Sequence, residues 1–192
     1  MYKNFFKRVF DFLLSLIAII ILSPLLIIAM IAIKIDSKGP VFYLQTRVGK
    51  NMKEFQLYKF RTMTDKERDP SKEQTFKDNA EITKVGYILR RLKIDELPQL
   101  INILVGDMAI IGPRPALPSL YQHYGEKAAK RIQVRPGLSG LSQTRGNIFL
   151  TWEERFKYDN EYVDRMSFLL DVGIIIKTFL IVIFGEEKFI KR

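Results

Sequence analysis

Asp95 and Glu96 are adjacent carboxylates just ahead of Leu97, Leu100, Ile101 and Leu104, whose spacing predicts a helix that stops at Gly106. Pro98 fits the first turn of such a helix, where backbone N–H groups lack intrahelical partners. An acid at a helix start is most often a cap, and acidic neighbours are common on surfaces. The company of this pair gives it a second reading. Ile82, Val85, Ile88, Leu89 and Leu92 recur at helical spacing and carry Arg90 and Arg91 toward the pair. Arg114 lies between two prolines in Gly112-Pro113-Arg114-Pro115, which reads equally as a rigid loop with an exposed arginine or as a fixed guanidinium of the kind that clamps phosphate in two-pronged fashion. Arg135-Pro136-Gly137 repeats that pattern more weakly. Lys59 and Arg61 share one face of a strand over Phe55–Met63, for which a half-solvated face is the commoner explanation. A helix start attracts phosphate and lowers a carboxylate's pKa. One carboxylate of such a pair could attack phosphorus while its neighbour holds a hard divalent cation.

Other chemistries are excluded by composition. There are no cysteines among the 192 residues, so no disulfide, thiolate metal site or cysteine nucleophile exists. The one histidine, His123, reads as a surface or packed residue, and multi-histidine metal sites are ruled out. Phosphate-binding glycine loops, dinucleotide fingerprints and zinc-ligand spacings are missing. A formal net charge of +10 requires a polyanionic neighbour: nucleic acid, an anionic membrane or phosphorylated substrates.

The elements that must position these residues begin with an apolar segment. Phe12 to Ile33 carries no charge. As a helix of about 22 residues it measures roughly 33 Å, enough for a ~30 Å hydrocarbon core. It is too long for a signal peptide and lacks a small-residue cleavage site. Ser23-Pro24 at its centre predicts a bend, with Ser23 placed to satisfy the carbonyl that the proline frees. Both flanks are basic: Lys3, Lys7 and Arg8 before, Lys34, Lys38 and Arg47 after. Basic flanks favour one cytoplasmic side for both ends, hence a helix that dips in and returns. A kinked spanning helix is the other reading.

Beyond it, Asp36–Pro40 reads as a turn, Val41–Tyr43 and Phe55–Met63 as strands, and Asp65–Glu81 as a lid-like loop. An aromatic, charged helix covers Trp152–Tyr162. The final apolar run, Phe168–Phe184, carries Asp171 and Lys177, which favours a buried or membrane-surface helix over a second span. The expected fold is α+β: an anchor over residues 1–36, then a small, mainly helical catalytic domain over residues 37–192 with a short β element and interfacial C-terminal helices. No nucleic-acid recognition motif appears and the basic residues are dispersed, so nucleic acid is not the expected partner. A membrane-tethered binding or scaffold protein is the remaining rival, against which the acidic pair and the arginine clamp argue.

The ordered motifs also resemble a known family. Ser23-Pro24, Tyr58-Lys59-Phe60-Arg61-Thr62-Met63, Leu89-Arg90, Asp95-Glu96-Leu97-Pro98-Gln99-Leu100 and Gly106-Asp107-Met108 match in order. Ile111-Gly112-Pro113-Arg114-Pro115, Val134-Arg135-Pro136-Gly137, Gly140-Leu141, Trp152-Glu153 and Tyr158-Asp159 continue the match. The chain resembles the bacterial sugar transferases, the monotopic phosphoglycosyl transferases, and in particular their small members that begin glycan assembly on undecaprenyl phosphate. The resemblance implies a re-entrant helix hairpin broken at Ser23-Pro24, at the bacterial inner membrane, with the catalytic domain on the cytoplasmic face. It implies Asp95 as a nucleophile toward a UDP-sugar, Glu96 as a ligand of Mg²⁺, and Arg114 and Arg90 on phosphate. A phospho-sugar aspartyl intermediate then passes to a polyprenyl phosphate, and downstream glycosyltransferases are implied partners alongside bilayer lipids. Val48 departs from the proline that many relatives carry, at what reads as a turn.

Overall fold

Residues 2–64 and 81–189 are described by the structure, a computed structural model. In chain order it consists of helix α1 (Lys7–Asp36), strands β1 (Phe42–Val48) and β2 (Glu54–Phe60), helices α2 (Lys84–Arg91) and α3 (Gln99–Val105), and strand β3 (Ala109–Ile111). Helices α4 (Pro118–Tyr124) and α5 (Glu126–Ala129), strand β4 (Gly137–Ser139), and helices α6 (Leu141–Thr144), α7 (Trp152–Arg165) and α8 (Phe168–Phe184) complete it. The class is α+β, mostly helical, with an antiparallel β1–β2 hairpin and a parallel β3–β4 pair. All but the last residue of the lid-like loop Asp65–Glu81 lies outside the described residues.

Helix α1 runs through Pro24 as one helix instead of a pair. Pro24 cannot donate to the Ile20 carbonyl four residues back, and Ser23 Oγ donates to that carbonyl instead, at 2.8 Å. One stripe of the helix is packed from end to end. Ala18, Ile19 and Leu22 meet Phe55, Leu57, Leu100, Ile103 and Met108. Leu26, Ala29, Met30 and Ile33 meet Phe60 and Leu89. At one end the Lys7 ammonium reaches Asp171 of α8 at 2.7 Å, and Arg8 donates to the Ile103 and Leu104 carbonyls at the end of α3. At the other, the Val85 amide donates to Asp36 at 2.9 Å. The opposite face, including Ile17, Ile20, Ile21, Ile28 and Ile31, is exposed.

Asp171 explains why α8 can carry an acid in an apolar run. It is buried and takes hydrogen bonds from Tyr2, Lys7 and Tyr162, so its charge is paired inside the fold. Phe168, Leu169, Phe179 and Ile183 of the same helix stay exposed.

The β elements differ from expectation in extent. Gln45–Val48 is not a turn: β1 pairs with β2 along its length, from Phe42 opposite Phe60 to Val48 opposite Glu54. The reversal is Gly49–Lys53, where Asn51 and Met52 adopt positive φ. Strand β2 stops at Phe60, and the face beyond it is not half-solvated. Arg61 is buried and donates to the Ser37 carbonyl and hydroxyl just past α1, at 2.7 and 2.9 Å. In α2 only Leu89 of the expected stripe is fully buried, while Ile88 and Leu92 are exposed. Asn102 of α3 grips β2, accepting from the Tyr58 amide at 3.0 Å and donating to the Gln56 carbonyl at 2.8 Å.

The short β3–β4 pair depends on glycines because backbones touch there. A Cβ on Gly137 would lie 2.1 Å from the Gly112 nitrogen, and one on Gly140 would lie 2.2 Å from the Gly112 oxygen. Gly137→Ala should therefore destabilise the protein by roughly 2 kcal/mol or more, read as a lower midpoint of thermal unfolding in detergent. Gly173→Ala, where an added Cβ meets nothing within 4 Å, is the matched control and should unfold at the midpoint of the parent or above it.

Candidate active site

The acidic pair stands between helices, not in the first turn of one. Lys93, in left-handed conformation at φ 58°, reverses the chain after α2, and Ile94–Glu96 form a single 3₁₀ turn. Pro98 is the residue preceding α3, which begins at Gln99. Two neighbours close on the pair. Lys59 Nζ, from β2, and Arg114 Nη2, from the loop after β3, both donate to Glu96 Oε1 at 3.1 Å.

This arrangement splits the two acids electrostatically. Burial alone would raise Glu96, but the Lys59, Arg114 and Lys93 cations hold its carboxyl well below the usual range. Burial and the Glu96 charge push Asp95 up to about 6, against the pull of Lys59, Arg90 and Lys93. The lowering expected of a helix start is thus reversed at Asp95, because the turn is partly desolvated and the stronger acid lies next to it. Burial likewise lowers Lys59. Among the sequence-predicted residues, the structure brings together Asp95, Glu96, Lys59, Arg90 and Arg114. Arg135 sits at the far end of α3, where its Nε donates to the Gly106 carbonyl at 2.7 Å. His123 is exposed and stacks edge-on against Tyr124, 4.7 Å between ring centres.

The loop that presents Arg114 is gripped at successive carbonyls. Pro113 O accepts from the Gly137 amide at 2.9 Å, and Ala116 O from the Val48 amide at 3.0 Å. Between them, Arg131 Nη2 donates to Arg114 O at 2.6 Å and Arg47 Nη1 to Pro115 O at 3.1 Å. Arg131 pairs with Asp159 of α7 at 2.8 Å, and Asp159 also accepts from Ser142 Oγ at 2.8 Å. Reading the sequence did not single out Arg131 or give Asp159 a role, and it placed Arg47 only in the basic flank of the apolar segment, whereas Arg47 is buried and tied to this loop. One signal was available: Asp159 falls on the same helical stripe as Phe156 and Val163, and a charge on an apolar stripe calls for a buried partner.

A small cleft adjoins this loop, lined by Arg114, Gln143, Asn147, Trp152 and Arg155. Among the described residues no three His, Cys, Asp or Glu converge. A divalent cation at the acidic pair would therefore take one or two carboxylate oxygens from the protein and the remainder from water or phosphate, a donor set that fits Mg²⁺.

The raised pKa of Asp95 has a consequence for stability. A carboxyl whose pKa rises on folding favours the folded state when protonated, and that contribution is lost as pH climbs through about 6. Asp95→Asn should then stabilise the fold at pH 7 by on the order of 1–3 kcal/mol, read as a higher thermal midpoint. The gain should shrink toward nothing as pH falls to about 4, near the unfolded carboxyl value. An equal gain at both pH values would show that the charge is not its source.

Comparison with known proteins matches nearly the whole chain, residues 2–185, to the family described as bacterial sugar transferase. The chain is 42% identical to the uncharacterized sugar transferase EpsL of Bacillus subtilis, over 94% of this chain and 88% of that protein. It is 38% identical to a UDP-glucose:undecaprenyl-phosphate glucose-1-phosphate transferase of Caulobacter vibrioides, covering 90% of this chain and 67% of the relative. It is 37% identical to a UDP-N-acetylgalactosamine-undecaprenyl-phosphate N-acetylgalactosaminephosphotransferase of Aeromonas hydrophila, covering 94% and 44%. With a match of this extent falling on the residues that build the acidic turn and its cationic surround, the chain belongs to the bacterial sugar transferase family.

Proposed function

We propose that this chain transfers a phospho-sugar from a UDP-sugar to a polyprenyl phosphate such as undecaprenyl phosphate, releasing UMP, as a first membrane step of glycoconjugate assembly. The observation that carries the proposal is the division of the acidic pair: Glu96 clamped by Lys59 and Arg114, Asp95 beside it with a pKa of about 6. At pH 7 Asp95 is mostly ionised yet poorly solvated, a suitable state for a nucleophile. The names of the relatives supply the substrate class. They differ in their sugar, so the sugar for this chain is a matter for a panel of UDP-sugars.

In this proposal the transfer takes two displacements at one phosphorus. An Asp95 oxygen attacks the sugar-linked phosphorus, and the bond from that phosphorus to the bridging oxygen breaks, so UMP leaves. The phosphate oxygen of the lipid then attacks the same phosphorus and releases Asp95, leaving a diphosphate between lipid and sugar. The bond from sugar to phosphate oxygen stays intact throughout. Arg114, with Arg90 and Lys59, faces the phosphates, and its planar fork suits them. Mg²⁺, with Glu96 among its ligands, would neutralise charge on the diphosphate. The relay also lets UMP depart before a second anion arrives.

Enzyme, UDP-sugar and Mg²⁺ without lipid should release at most one equivalent of UMP and add the mass of a phospho-sugar to the peptide containing Asp95. Asp95→Asn should fold yet lose turnover by roughly 1,000-fold or more. Normal turnover with neither adduct nor exchange of labelled UMP into the donor would make transfer direct.

The membrane reading rests on α1. Both of its ends pack on one folded body, through Asp171 at the start and through Phe60, Leu89 and Val85 at the finish. Its exposed apolar face, continued by that of α8, supports a helix that enters the bilayer without crossing it, with the catalytic residues on the cytoplasmic side. The chain has no cysteines, so Lys3→Cys and Lys38→Cys can be labelled singly. An impermeant thiol reagent should reach both from the cytoplasmic face only, and periplasmic labelling of either would establish a span.

A further inference from the structure

We infer that Arg131, oriented by Asp159, is a positioning residue that fixes Arg114 at the reacting phosphates, with Arg47 holding the other side of the same loop. The inference rests on the reading of Arg114 as a phosphate ligand. Pro113 and Pro115 have no N–H, so the loop has few donors of its own for anchorage. It is held through carbonyls instead. Two of the four partners are backbone amides from neighbouring strands, and two are guanidiniums from elsewhere in the chain.

Those two guanidiniums are expensive choices. Arg131 is 3% exposed and Asp159 1%. A buried ion pair is commonly matched or bettered for stability by apolar side chains of similar volume. Phe156, whose ring lies 5.3 Å from the Arg131 guanidinium, would pack against such a replacement as well. What an apolar residue cannot do is donate to Arg114 O. The Arg131 charge is also cancelled locally by Asp159, so Arg131 can order the loop without competing with Arg114 for phosphate. On the far side, Arg47 is tied to Gln45 Oε1 at 2.7 Å while it donates to Pro115 O. The outcome is an arginine whose backbone is pinned on both flanks and whose side chain meets Glu96.

A double-mutant cycle on the full-length enzyme in detergent or lipid discs tests this, with kcat, KM and thermal midpoint measured for Arg114→Ala, Arg131→Gln and the double variant. Arg131→Gln should lower kcat by roughly 100-fold through misplacement of Arg114, while adding little to the loss already caused by Arg114→Ala. Arg131→Lys, which keeps one donor, should recover part of kcat. If Arg131→Gln does not fold, Asp159→Asn takes its place in the cycle, because it retains the Ser142 hydrogen bond while releasing Arg131. A lower thermal midpoint with kcat of the folded fraction unchanged would make the pair structural and overturn the inference. So would losses that multiply in the double variant. Full turnover by Arg114→Ala would remove the phosphate reading itself, and is told apart from the other outcomes by the single variant alone.

Discussion

Helix α1 has to satisfy two environments at once, and the rest of the fold is arranged around that demand. Its packed stripe, from Lys7 to Ile33, is the surface on which β2, α2 and α3 rest. Leu57 and Phe60 bracket Lys59 in the chain, and Leu89 and Leu100 bracket the Asp95–Glu96 turn; all four belong to hydrophobic clusters that include α1 side chains. The long apolar helix is thus part of the folded core that carries the acidic turn and not a tether beside it. A charge or a void on that stripe would be felt at the acidic turn, whereas the outward isoleucines answer only to the bilayer.

The site is built on unequal treatment of equal groups. Glu96 receives two cations on one oxygen, and Asp95 receives none within a hydrogen bond among the described contacts. The difference leaves one carboxylate firmly ionised and the other near its titration point. Lys59 and Arg114 approach from different elements, so the asymmetry is a tertiary product that neither the turn nor its sequence contains by itself.

That is also why part of the site was legible in the residues and part was not. Helix α8 could be read to its ends because its apolar run is bounded by Ser167 and Gly185. Gly106 was recognisable as the stop of α3, and it does adopt the left-handed conformation. Arg90 and Arg114 could be named beside Asp95 from helical spacing and rigid prolines, whereas Lys59 was legible only as one residue of a strand face for which solvent was the commoner explanation. The position of the pair in a 3₁₀ turn did not, because it depends on Lys93 at positive φ, a conformation that lysine does not advertise. Arg47 sat in a stretch that reads as a turn until its pairing with β2 is seen. Arg135 looked like a second phosphate clamp, since a guanidinium bound to a helix carbonyl and one awaiting an anion have the same local sequence.

Asn102 makes a different kind of contribution. Its side-chain amide offers β2 one acceptor and one donor, at Tyr58 and Gln56, in the pattern that a neighbouring strand would present. A two-stranded hairpin with an open edge is an invitation to pair with another chain. Here the rung is filled by a side chain that cannot propagate a ladder, and Val48 bridging Ala116 closes the end of the other strand. At Gln56 and Tyr58 the backbone groups that a further strand would use are thus already taken up inside the fold.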